Sequence, residues 1–130
     1  YVIIPMMPDV FSLQRLTLVY DTIEYIQNKI NPRIEVAGVL VNRFMKRSKL
    51  HKEVYGTAQM ICEKLNIKLF DTVIRNSWSL SEAQSLQMDI TSYAAKSTGA
   101  KDFSTFLREL EKMDIAKHPY SSGENKNEQV

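Results

Sequence analysis

Short apolar runs alternate along this chain with longer stretches whose apolar residues recur every three or four positions. The first run, Tyr1-Val2-Ile3-Ile4-Pro5, is unbroken. It reads as a strand buried on both faces and ended by its proline. Met6 to Val10 form a loop holding Pro8 and Asp9. A helix is predicted from Phe11-Ser12, with Ser12 as its N-cap and Leu13, Leu16, Tyr20, Ile23, Ile26 and Ile30 on one stripe. Asn31-Pro32 stops it. Ile34 to Val41 is a second apolar strand, and a basic loop runs on to Ser48. The next helix is predicted from about Leu50 to Leu65, with Val54, Ala58, Ile61 and Leu65 inward. Gly56 costs it roughly 1 kcal/mol relative to alanine. Ile67 to Ile74 is a third strand candidate. A short helix from Leu80 or Ser81 to Leu86 follows. A last helix, Ala100 to Met113, buries Phe103, Phe106 or Leu107, Leu110 and Met113.

Three strand-helix units in series predict an α/β fold. The first two connections fit right-handed crossovers in a parallel sheet, with helices on both faces. Three strands are too few for a complete doubly wound domain. A doubly buried strand is normally interior to its sheet. The chain is therefore expected to be part of a longer protein, or to complete its sheet with a partner. From Lys117 onward Ser, Gly, Asn, Glu and Lys offer almost nothing to bury, and residues 115–130 are expected to be a disordered tail.

Composition narrows the picture modestly. The chain has 130 residues, of which 44% are hydrophobic, enough for one domain with a modest core. Cys62 stands alone, which excludes a disulfide framework and fits a reducing cytosol. No apolar stretch approaches the ~20 residues that cross a bilayer, and no membrane partner is expected. The net charge of +2 says little about nucleic acid, but its distribution says more. Arg43, Lys46, Arg47, Lys49 and Lys52 fall together with no acidic residue among them.

The search for chemistry is mostly negative. There is no GxxxxGK[ST] phosphate loop and no glycine-rich dinucleotide fingerprint. His51 and His118 have no metal-ligand spacing with Cys62, which reads as a small buried helix residue. Glu53, Glu63 and Glu82 form no carboxylate pair. Glu82 is a candidate to cap the short helix. Two loops stand out by position, because ligands of open α/β sheets sit at the carboxyl ends of the strands. The second strand ends in Val41-Asn42-Arg43-Phe44 and the third in Ile74-Arg75-Asn76-Ser77. Asn42 could donate and accept across a base edge, or be a turn residue bonded to its own backbone. Both readings stay open.

Three groups of residues carry a resemblance. Val2-Ile3-Ile4-Pro5 is followed by Asp9-Val10-Phe11-Ser12-Leu13 and by Gly38-Val39-Leu40-Val41-Asn42-Arg43-Phe44. Leu69-Phe70-Asp71-Thr72-Val73-Ile74-Arg75 and Leu80-Ser81-Glu82-Ala83-Gln84-Ser85 come next. Tyr93 and Ser97-Thr98-Gly99-Ala100-Lys101-Asp102-Phe103 complete the series. In this order and spacing, residues 1 to about 112 resemble the C-terminal half of the ParA/Soj plasmid or chromosome partitioning ATPases. The resemblance implies a partial doubly wound parallel sheet of the deviant P-loop NTPase type with its N-terminal half absent. Residues 1–114 would form the ParA-like part. It implies a parent that binds ATP and magnesium, dimerises, binds DNA without sequence preference, works with a partition adaptor protein and associates with the nucleoid in the cytoplasm. Asn42 matches a polar position near the adenine, and Arg75 and Asn76 match positions close to base and ribose. Ser79 stands where some chromosomal members carry an arginine linked to DNA binding, and Gln84 replaces their usual proline.

The resemblance gives this chain no catalytic residue. Hydrolysis needs a phosphate loop, a lysine and held magnesium, and none is in the sequence, so no cofactor is expected to bind tightly to this chain alone. Three functional classes remain. The chain is the adenine-side part of an ATPase; or a nucleic-acid-binding module using Arg43, Lys46, Arg47, Lys49 and Lys52 on phosphate; or a truncated structural module without activity. The first two can coexist.

Overall fold

A computed structural model describes residues 1–113. The expected disordered tail, 115–130, lies outside the described residues. Strand β1 (Val2–Met6) leads through helix α1 (Val10–Lys29) to strand β2 (Val36–Val41). The two strands pair in parallel, from Val2 opposite Val36 to Met6 opposite Val41. Their register skips Ala37, because Val2 faces Val36 while Ile3 faces Gly38. Helix α2 (Lys49–Leu65), short helices α3 (Trp78–Ser85) and α4 (Ile90–Tyr93), and helix α5 (Thr98–Lys112) complete the order. The result is a small parallel sheet flanked by helices, an incomplete α/β arrangement.

Two apolar clusters sit on the sheet. In one, Ile4, Met6 and Val39 meet Leu16 of α1 and Val54, Ala58 and Cys62 of α2. In the other, Ala37 and Leu40 meet Phe70, Ile74 and Phe106 of α5. The skipped register accounts for Ala37 joining Leu40, since the extra residue breaks the strict alternation of faces.

The first strand differs from its expected form. Ile4 and Met6 are buried but Tyr1 and Ile3 are exposed, so one face is covered and the other is open. Pro5 does not end the strand; it lies inside it, opposite Leu40. A proline is tolerated there because β1 pairs on one side only among the described residues, and a strand edge needs no donor.

Helix ends also shift. Asp9 caps α1, its carboxylate accepting from Ser12 N at 2.7 Å, so Ser12 is the capped residue and not the cap. Leu16 lies at the centre of the predicted stripe, whereas Ile30 is the C-cap and is 71% exposed. Ser48 caps α2 and Asn66, at φ 56°, ends it in the left-handed region. On α5 Phe106 is buried and Leu107 is not.

The third strand forms only in part. Residues 68–76 run parallel to β2 and the loop after it, with one bridge to β2, Leu69 to Val39, and one to the loop, Arg75 to Phe44; Ile74 N also donates to Val41 O at 2.9 Å. Between Phe70 and Ile74 the segment leaves the ladder, and there and at Arg75 three of its amides turn to α5. Asp71 N and Thr72 N each donate to Glu109 at 2.9 Å, and Arg75 N donates to Asp102 at 2.8 Å. Backbone donors must find acceptors when they leave a ladder. Here two helical carboxylates replace strand carbonyls.

Candidate functional site

The carboxyl ends of β2 and of the partial third strand converge on one open groove. It holds about 350 Å³ and is lined by Phe44, Met45, Lys46, Arg47, Arg75, Asn76 and Thr98. Phe44 is the buried residue of its lining. Its N–H donates to Ile74 O at 2.9 Å and its carbonyl accepts from Asn76 N at 3.0 Å, which ties the two strand-end loops together. The Phe44 ring is buried and packs against His51 and Tyr55, with centroids 5.9 and 6.1 Å away. His51 Nδ1 accepts from Met45 N at 2.9 Å and so closes the basic loop onto α2. On the far side Thr98 opens α5, whose cap Ser97 accepts from Ala100 N at 3.2 Å.

Arg75 is already engaged. Its Nη2 donates to Asp102 Oδ1 at 2.8 Å and its Nε to Oδ2 at 3.0 Å, a two-pronged pair. Asp102 is the buried charged residue of the described chain, at 8% exposure. Hydrogen bonding to Asp102 raises the Arg75 guanidinium above its ordinary value, with burial opposing it. Two turns farther along α5, burial pushes the Glu109 carboxyl up. The Thr72 and Asp71 amides and Lys68 outweigh it, so the group lies below the usual carboxylate value.

The groove thus brings together residues from both sets singled out in the sequence: Lys46 and Arg47 from the basic run, Arg75 and Asn76 from the strand-end turn. Asn42, Arg43, Lys49 and Lys52 are not in its lining. Asn42 is half-buried, and its Oδ1 accepts from Arg43 N at 3.0 Å, the turn bond that was one of its two readings. Arg43 follows it at φ 52°. Glu82 caps nothing; its carboxylate accepts from Tyr93 OH at 2.7 Å and joins α3 to α4. Asp102, Glu109 and His51 were given no role by sequence reasoning. For the first two a signal existed: acidic residues seven apart on the same helix as Phe103, Phe106 and Leu110, where a solvated face was not expected.

The groove lining contains donors and cations and no carboxylate. It suits an anion or the edge of a base and does not suit magnesium. Among the described residues no group of three or more His, Cys, Asp or Glu could hold a metal ion. None of their helices is long and apolar enough to cross a membrane.

No protein-family profile matches the chain. Individual proteins do. The chain is 33% identical over 109 residues to an uncharacterized protein of Mycobacterium tuberculosis, covering 84% of this chain and 33% of that one. It is 31% identical over 109 residues to the chromosome-partitioning ATPase Soj of Treponema pallidum, covering 84% and 42%. Against the chromosome partitioning protein ParA of Caulobacter vibrioides it is 29% identical over 109 residues, covering 84% and 40%. These matches establish distant homology to the ParA/Soj family over most of the chain. The chain spans 33% to 42% of the length of these relatives.

Proposed function

We propose that this chain furnishes the base-side wall of a ParA-type nucleotide site, within a protein that also supplies a phosphate loop. The observation that carries the reading is the groove at the carboxyl ends of β2 and residues 68–76. In open α/β sheets that edge is where ligands bind. Asn76 would meet the base edge, with Arg75 beside it and Lys46 and Arg47 toward the phosphates. Asn42, one residue after β2 and outside the groove lining, would orient the loop or reach the adenine. In the longer protein, ATP and magnesium would be held by residues outside this sequence. This chain alone should release no phosphate from ATP. Photolabelling the longer protein with an azido-ATP tests the reading. Label is expected on peptides containing residues 42–47 and 75–78, and label confined to other peptides refutes it.

A second role at the same loop is favoured by one observation. Arg43, Lys46, Arg47, Lys49 and Lys52 are all exposed, and none is in an ion pair among the described residues. Such a cluster would bind duplex phosphates without reading sequence, and two copies in a homodimer would act together. Changing Lys46, Arg47 and Lys49 to alanine in the longer protein should make the salt dependence of duplex binding shallower. Equal slopes would return the loop to ordinary charged surface.

A further inference from the structure

We propose that Asp102 is a positioning residue of the groove, and that Asn76 rather than Arg75 is the contact its turn makes with a ligand. The inference rests on the base-side reading above and assigns the labour within it.

Arg75 presents three donors to one carboxylate: its backbone N at 2.8 Å, Nε at 3.0 Å and Nη2 at 2.8 Å. For Arg75 to swing toward a ligand, Asp102 would be left as a buried and unpaired charge. That is the costly way to break such a pair. Charge-assisted, two-pronged pairs are also the stronger and more directional kind of hydrogen bond. Arg75 is therefore a strut.

The residue that follows is differently placed. Asn76 is exposed, its backbone N is fixed on Phe44 O at 3.0 Å, and its side chain makes no hydrogen bond among the described residues. A carboxamide with a fixed backbone and an uncommitted head can donate and accept at once, which a base edge requires. Asp102 lies on the same helix as Thr98, across the groove. Its pair with Arg75 thus holds the Thr98 and Asn76 walls at one separation. Supporting contacts of this kind decide whether a binding group sits in its productive position.

Glu109 supplies an internal control. It pins the same segment by the same chemistry, at Asp71 and Thr72, but outside the groove lining. A ¹⁵N NMR titration of the chain with AMP, with inorganic phosphate as the blank, separates the roles. In the wild type AMP should shift the Asn76 side-chain NH₂ and the Phe44 amide, and phosphate should leave the Asn76 NH₂ in place. Asp102→Asn should weaken AMP binding about tenfold, the loss that accompanies one forfeited hydrogen bond. The slow-exchanging Arg75 Nε–H signal should disappear with it. Asn76→Ala should weaken AMP to a similar degree without lowering the unfolding midpoint. Glu109→Gln should lower the midpoint and leave AMP affinity unchanged. If Asp102→Asn does not fold, Asp102→Glu, which moves the charge by one methylene, is read in its place. Equal loss of AMP in the Asp102 and Glu109 variants, or wild-type affinity in the Asp102 variant, overturns the assignment. Absence of any AMP shift in the wild type, with the Arg75 Nε–H signal intact, overturns the base-side reading and the assignment with it.

Discussion

At Gly38 β2 lies close against the partial third strand, and replacing it with alanine should loosen that contact. A Cβ built there would lie 2.8 Å from Phe70 Cε2 and 2.9 Å from Lys68 O. Carbon atoms settle at about 3.5–4.0 Å, so the neighbour would have to retreat by roughly 0.7 Å or more. Phe70 has nowhere to go. It is fully buried and meets Phe106 edge-on, with centroids 4.9 Å apart. The other obstacle is backbone, and Lys68 O is the acceptor for Val39 N at 2.8 Å. The strain must therefore open the seam between β2 and residues 68–70. Overpacking of this kind costs about 1–3 kcal/mol. Two seam hydrogen bonds, Val39 N to Lys68 O and Phe70 N to Val39 O, are put at risk for about 1 kcal/mol each. With both bonds lost the total is about 3–5 kcal/mol, and in a domain near this size each kcal/mol moves the thermal midpoint by about 4–8 °C. Urea unfolding followed by far-UV circular dichroism reads it directly. The midpoint should fall with little change of slope. A Gly38→Ala protein within about 0.5 kcal/mol of the wild type would refute the close seam and the position of Phe70.

Other glycines and side chains give predictions of different sign. Gly56→Ala should stabilise by up to about 1 kcal/mol, because nothing lies within 4 Å of the added methyl and α2 gains a better helix former; a lower urea midpoint would count against it. Leu16→Ala should cost about 2–5 kcal/mol, since Leu16 is 2% exposed within the cluster of Ile4, Met6 and Val39; an unchanged midpoint would mean that α1 packs by another face. Glu109 has a folded pKa below its unfolded value, so its stabilising effect is present above the unfolded carboxylate range and is lost as pH falls through the folded value. Glu109→Gln should therefore flatten the acid limb of the stability-against-pH curve, and superimposable curves would show that the amide contacts do not couple to the proton.

The sequence made the alternation of elements legible because each helix shows its period and each strand is apolar. Leu16, Val54, Ala58 and Phe106 are core residues that spacing alone could find. The choice between Phe106 and Leu107 needed the direction of α5 against Phe70, which no local pattern carries. The double burial expected for β1 failed because an apolar run reports what a strand can bury and not what covers it. Pro5 looked like a stop signal, yet a proline at an unpaired strand edge costs no ladder bond. The third strand forms only in part: Ile67 to Ile74 has strand composition, but two of its amides are diverted to a carboxylate that lies 38 and 37 residues further on. In the groove, Lys46, Arg47, Arg75 and Asn76 were visible from their position after apolar runs. Asp102 stands in the run Ser97 to Phe103 with nothing local to mark its role, since its partner Arg75 is set by tertiary contact.

The diverted amides also bear on the order in which the molecule can be made. A chain emerging from synthesis presents its earlier residues first. Residues 68–76 would then be out, beside β2, before Asp102 and Glu109 exist to receive Asp71, Thr72 and Arg75. In that interval the outer side of residues 68–76 is an unprotected pairing edge, the kind that recruits foreign strands. The interval closes only when α5 docks, and both of its carboxylates must arrive in one register, seven residues apart, to close it. The last described helix therefore acts as the latch on a sheet edge formed much earlier in the chain.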